Sequence, residues 1–224
     1  MNKLTRVAAV VALIIGCGAV SAASAAVVTM DARYYGGGVP GATSADYVAA
    51  WAAALAANPN PGNGYYDQTI ANWNGSESNA IDGGSDTDLA YHDEVTFDVT
   101  QAGTYSFKFG IDFGYGGTLL VNGAAIDTNT NNLWWSGNIN DQNNTLFGTA
   151  SLHTGLNTID IYGFEDCCDG GTIGEYAGAD TNGAFVTFAV PEPADWALMI
   201  LGLGGVGATL RAARRKTATA PAIV

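Results

Sequence analysis

Glu94-Val95-Thr96-Phe97-Asp98-Val99-Thr100-Gln101-Ala102-Gly103-Thr104-Tyr105-Ser106-Phe107-Lys108-Phe109-Gly110-Ile111 holds two runs in which large apolar residues alternate with polar ones. Val95, Phe97 and Val99 form the first set, Tyr105, Phe107, Phe109 and Ile111 the second, and Gln101-Ala102-Gly103 lies between them. A period of two puts each set on one face of a strand, so the stretch reads as a β-hairpin with one buried side. The pattern extends outward. Leu119-Leu120-Val121, Asn122-Gly123 and Ala124-Ala125-Ile126 give a second hairpin, because Asn-Gly accommodates the positive φ angles of a tight turn. Further strands are expected at 27–32, 145–152, 157–164 and 184–190. Many short strands punctuated by turns predict a mainly β chain folded as an antiparallel β-sandwich.

One helix flanks the sandwich. Ser44 can cap a segment at 45–57, with Tyr47, Trp51 and Leu55 four apart on one face as core contacts and Asn58-Pro59 ending it. Residues 58–91, dominated by Asn, Gly, Asp and Ser, read as a long surface excursion pinned by Tyr65, Tyr66, Ile70 and Trp73.

Both ends read as targeting segments. Lys3 and Arg6 precede an apolar stretch at 7–15, and Ala23-Ser24-Ala25 supplies the small residues a signal peptidase needs, so 1–25 is expected to be removed. Ile14-Ile15-Gly16-Cys17 is a rival, loosely resembling a lipobox that would make Cys17 a lipidated N-terminus. At the other end, Pro191-Glu192-Pro193 and Trp196 precede an apolar run at 197–210 and the basic residues Arg211, Arg214, Arg215 and Lys216. Prolines one residue apart hold the peptide extended, and the run that follows reads as a short transmembrane helix with interfacial Trp196 and snorkelling arginines. A buried soluble helix fits less well, because glycines at 202, 204, 205 and 207 weaken it.

The division is therefore 1–25 signal peptide, 26–190 β-sandwich domain, 191–216 sorting segment and 217–224 tail. Residues 26–190 carry only Arg33 and Lys108 against 19 acids, a formal charge of −17. Such a surface repels nucleic acid and anionic headgroups and suits divalent cations. A chain that is 48% hydrophobic has the apolar surface to build a core, so the charge does not signal disorder.

The tail resembles the PEP-CTERM sorting signal of Gram-negative bacteria in motif, spacing, Trp196 and basic cluster. That resemblance implies export, transient tethering in the inner membrane, cleavage near Pro191–Pro193 by an exosortase, and release to the cell surface or exopolysaccharide matrix. Cys167-Cys168-Asp169-Gly170 together with the tail resembles a Cys-Cys-x-Gly family of such proteins. Within 94–170, the opening stretch, Gly116–Gly123 and Gly155–Tyr162 look like the protective-antigen type of β-sandwich also found in fungal flocculins and adhesins. In sugar-binding members of that family, two consecutive aspartates after the long strand hold a Ca²⁺ ion that grips sugar hydroxyls. Asp112 matches the first position and Phe113 departs from the second.

In the resembled fold the loop after the long strand and the later loop at 166–171 meet at one end, so Asp112 is expected close to Asp166 or Asp169, where a second carboxylate could complete a Ca²⁺ site. A vicinal disulfide between Cys167 and Cys168 would stiffen that loop; free thiols and intermolecular links are the alternatives. Trp134-Trp135 is expected to serve as a stacking platform for sugar. Asp82, Asp86, Asp88, Asp93 and Glu94, and the alternating Asp127, Asn129 and Asn131, could offer oxygens to an ion, or act as turn formers and solvated surface. Catalysis finds little footing: His92-Asp93-Glu94 and His153 stand without a nucleophile elbow, metalloprotease motif or phosphate loop. The expectation is a non-enzymatic, exported surface or matrix protein that binds or associates with exopolysaccharide. The alternatives are a purely structural matrix component without a saturable site, and a glycan-acting hydrolase.

Overall fold

The computed structural model describes residues 26–60, 67–70, 75–76, 87–133, 137–167 and 171–188. Two antiparallel sheets face each other. The larger contains β1 (Val27–Tyr34), β2 (Asp67–Ile70), β4 (Thr87–Val99), β6 (Gly117–Val121), β7 (Ala124–Asn129) and β9 (Gly155–Cys167), in the order β2-β1-β4-β9-β6-β7. The smaller contains β5 (Gly103–Gly110), β8 (Leu146–Leu152), β10 (Gly171–Ala177) and β11 (Val186–Thr187), in the order β11-β10-β5-β8, with β3 (Gly75–Ser76) paired to β10. The helix α1 (Ser44–Ala57) packs on the outer face of the larger sheet.

The central stretch forms both expected strands but not the expected hairpin. β4 pairs with β1 and β9, while β5 pairs with β10 and β8, so residues 100–102 carry the chain from one sheet to the other. Alternation specifies which face is buried and says nothing of which strand supplies the hydrogen bonds. Both apolar sets point into the same core, where Val95, Phe97, Val99, Tyr105, Phe107, Phe109 and Ile111 are all buried. The crossing is pinned by Asp180, which accepts from the Thr100 amide at 2.8 Å and its hydroxyl at 2.6 Å, and by the Tyr105 hydroxyl, which donates to the Gln101 carbonyl.

The second hairpin forms as expected, with Val121 opposite Ala124 and positive φ at Asn122 (50°) and Gly123 (77°). Other boundaries moved. The supposed excursion at 58–91 contains β2, β3 and the start of β4, because ladder bonds to β1 and β9 outweigh the weak strand preference of Thr87 to Asp93. The strand β10 was hidden by Gly171 and Gly174, and of the described residues 184–188 two form β11. Tyr65, Tyr66 and Trp73 lie outside the described residues.

Thr43, not Ser44, caps α1: the Thr43 hydroxyl accepts from the Asp46 amide and the Asp46 carboxylate accepts from the Thr43 amide at 2.9 Å, a reciprocal box that needs an acid three residues on. Its buried face is Tyr47, Trp51 and Ala54, while Leu55 is 37% exposed, since a turn of 3.6 residues brings the seventh position back to the contact line. Tyr47, Trp51 and Ala54 meet Ala90 and Phe164, a small second core that fixes the far end of β9.

Residues 1–25, Pro191-Glu192-Pro193, the apolar run at 197–210 and the tail fall outside the described residues. Among the described residues no helix is long and apolar enough to cross a membrane.

Candidate functional site

The loop leaving β5 crosses to β6 through Asp112, Phe113, Gly114, Tyr115 and Gly116. It is sewn to the end of β9. Tyr115 donates its amide to the Phe164 carbonyl at 2.8 Å, and the Phe164 amide returns to the Gly116 carbonyl at 3.1 Å. The buried Glu165 side chain extends the seam, taking the Gly114 amide on Oε2 and the Asp166 and Cys167 amides on Oε1, each at 2.9 Å. The helix buttresses the loop, because the Tyr47 hydroxyl donates to the Tyr115 carbonyl at 2.8 Å. Gly116 sits at φ +77°, where a Cβ would lie 2.2 Å from the Asn129 carbonyl oxygen, so only glycine closes this corner.

The loop after β5 and the end of β9 thus meet through Gly114, Tyr115, Glu165 and Asp166, and Asp112 lies near enough to Glu165 to act on its charge, while Asp169 lies outside the described residues. Asp112 is buried. Asp166 is exposed and accepts a hydrogen bond from the Tyr115 hydroxyl at 2.8 Å, which raises the tyrosine above its ordinary range. Burial pushes Glu165 up to about 8, with Asp112 adding to the rise and the three amide donors opposing it. Glu165 is not among the residues the sequence points to; its signal there is an acid at an inward position of β9.

Phe113 explains its own departure from an acidic pair. Its ring is fully buried, stacks on Tyr91 at 5.6 Å and occupies the space left by the missing side chain of Gly163. A carboxylate there would face the core. Among the described residues no group of three or more His, Cys, Asp or Glu side chains could hold a metal ion, so a Ca²⁺ site on Asp112 and Asp166 would need further oxygens, from Asp169, backbone carbonyls or water. Cys167 is disulfide-bonded, and Cys168 lies outside the described residues. Trp134 and Trp135 lie outside them too.

The remaining acidic and histidine positions take structural roles where they are described. His92 and Glu94 are half-buried on the outer face of the larger sheet, whereas Asp93 is buried in the inter-sheet core, so the three side chains do not converge. His92 approaches Asp160 at 3.1 Å and stacks on Tyr162 with ring centres 4.4 Å apart. Asp127 accepts the Phe147 amide at 3.0 Å, and Asn129 donates to carbonyls of Gln142, Asn143 and Thr145, which makes them fasteners of the 138–145 loop.

No family model and no curated protein matches the chain. Among solved structures it is similar to a PA14 sugar-binding domain from an RTX adhesin, at 19% identity and a TM-score of 0.46, covering 74% of this chain and 96% of that one. It is also similar to an anti-sigma factor domain-containing protein from Clostridium clariflavum, at 14% identity and a TM-score of 0.47 over 76% of this chain and 48% of that one. A third is the Epithelial Adhesin 9 A domain from Candida glabrata, in complex with Galb1-4GlcNAc, at 10% identity and a TM-score of 0.45 over 75% and 88%. Likeness this distant establishes no shared ligand or activity.

Proposed function

We propose that this chain is an exported protein, tethered by its C-terminal segment during sorting, that associates with extracellular polysaccharide at the cell surface or in the matrix without acting on it as an enzyme. The observation that carries the binding half is the seam closed by Glu165. It ties Tyr115 and Asp166 together at the rim, and because the Tyr115 proton is already donated to Asp166, the pair presents fixed acceptor oxygens to sugar hydroxyls at low ordering cost. Asp112, Asp166 and Asp169 are the residues that would hold a Ca²⁺ ion, which would supply further coordination for sugar hydroxyls. The export half rests on the two terminal segments, with signal peptidase and exosortase as processing partners.

A glycan-binding screen of the full chain, with Ca²⁺ and with chelator, tests the reading. Saturable binding should weaken in Asp166→Ala and in Tyr115→Phe, and a drop under chelator assigns the ion a part. Abundant self-association with no saturable glycan would instead mark a structural matrix component. Intact-mass measurement of matrix-derived protein should show loss of residues 1–25 and of the segment beyond about Pro193; recovery of the intact tail on released protein would refute the sorting half.

A further inference from the structure

The outer face of the smaller sheet carries a feature that the loop rim does not use. Of the two basic residues in 26–190, Arg33 is buried and paired with Asp67, which leaves Lys108 as the one lysine or arginine at the described surface. It stands in a cross-strand row, with Phe147 of β8 on one side and Glu175 of β10 on the other, and Thr187 of β11 beyond. Its ammonium group is held, donating to Asn140 Oδ1 at 2.6 Å and lying 4.0 Å from the centre of the Phe185 ring. Phe147 and Phe185, 39% and 40% exposed, are among the few large apolar side chains left in water.

We propose that this strip binds an acidic polysaccharide, specifically a run of carboxylated pyranose rings such as uronates. An ammonium group has three donors, and Asn140 with the Phe185 face occupies part of that capacity, leaving the outward part for a carboxylate. The two phenyl rings offer what a pyranose needs besides its charge, an apolar surface for the C–H face of the ring. Elsewhere the domain, at −17, repels anions. Glu175 offsets part of the Lys108 charge, so a small free anion gains little and ring contact decides the outcome. The strip from β8 to β11 crosses three inter-strand spacings, roughly 14 Å, which suits an oligosaccharide better than a single sugar.

Isothermal titration of the full chain at physiological salt, with tetra-uronates of the mannuronate, guluronate, galacturonate and glucuronate types beside their neutral counterparts, tests this. At least one tetra-uronate should bind more tightly than its monomer and its neutral counterpart. Lys108→Gln should lower that affinity at least about tenfold, with Lys108→Arg retaining most of it. Phe147→Ala and Phe185→Ala should each weaken it while Asp166→Ala does not, which separates this strip from the loop rim. The basic residues at both termini are present in every variant, so their background cancels. The proposal is overturned if no tetra-uronate binds at millimolar concentration, if neutral sugars bind equally, or if Lys108→Gln binds as the wild type does. It is also overturned if sedimentation shows Lys108-dependent self-association without uronate binding. Should Lys108→Gln melt early, the Phe147→Ala and Lys108→Arg comparison decides alone.

Discussion

The ring of Phe113 fills the place of a side chain on Gly163: a Cβ built there would lie 1.9 Å from Cε2 of the phenyl. β6 and β9 pair at this point, with Gly117 opposite Gly163, so the ring enters the core through a gap left by glycine in the sheet. Both members of the contact are needed, one for its bulk and one for its lack of it.

Gly163→Ala should therefore destabilise the fold by about 1 to 3 kcal/mol through overpacking, since Phe113 is fully buried and has nowhere to turn. Phe113→Asp, which would restore an acidic pair after Asp112, should cost more, about 3 to 5 kcal/mol for the lost ring alone. Urea melts of the two variants check this. A Phe113→Asp protein as stable as the wild type would show that the position faces an ion or water instead of the core.

The helix cap gives a sharper local contrast. Thr43→Ala removes an acceptor from the Asp46 amide and should cost about 1 kcal/mol, whereas Ser44→Ala, at the first helical position, should stay within roughly 0.5 kcal/mol. Equal losses in chemical denaturation would return the cap to Ser44.

What could be read from residues alone follows from what each signal measures. Alternation in 94–111 gave both strands and their buried faces, because burial is a property of one strand. Pairing is a property of two, and nothing in Gln101-Ala102-Gly103 distinguishes a hairpin turn from a crossing between sheets. Asn122-Gly123 was decisive because its φ requirement is local. β10 is not legible because Gly171 and Gly174 stand where a strand shows its alternation. At the site, Asp112 and Asp166 were legible as acids in loops, while Glu165, the residue that joins those loops, looked like one more surface carboxylate until burial and its three amide partners set it apart.

Phe109 and Phe188 lie in parallel stacking, 5.7 Å between centres, with Tyr176 stacked on Phe188 at 4.7 Å. Phe188 thereby pins the end of the described chain, two residues short of the 191–193 motif, into the core. Phe109→Ala should cost about 3 to 5 kcal/mol, and a double-mutant cycle with Phe188→Ala should show about 0.5 to 1.5 kcal/mol of coupling. Additive losses would mean that the two rings are not in contact in solution.

Asp93 makes the last prediction, and its sign is worked from burial. The carboxyl is fully buried in the inter-sheet core, and neither oxygen has a hydrogen-bond partner among the described residues. Burial, with a smaller push from Asp31, raises its pKa well above 3.8, so the folded protein holds the proton that the unfolded chain releases. Below pH 4 or so the group is neutral in both states and contributes no slope. Above that the native state binds more protons than the unfolded one, and stability falls as pH rises. Glu165 adds a decline of the same sign, starting near 4.5 and levelling above about 8. Asp46 and Asp180 are shifted down, so their contribution is lost only in more acid solution, outside this window. Asp93→Val, close in volume and without a polar atom, should raise stability at pH 7 by about 1 to 3 kcal/mol and flatten the decline between pH 5 and 7. Asp31 and Asp127, raised by burial as well, add slope of the same sign, so Glu165→Gln should remove only part of what remains toward pH 8 while sacrificing part of the amide seam, giving a flatter but lower profile. Thermal melts across that range decide the matter: an Asp93→Val protein that is less stable than the wild type, or equally steep in pH, would show that the carboxylate is charged and partnered in solution.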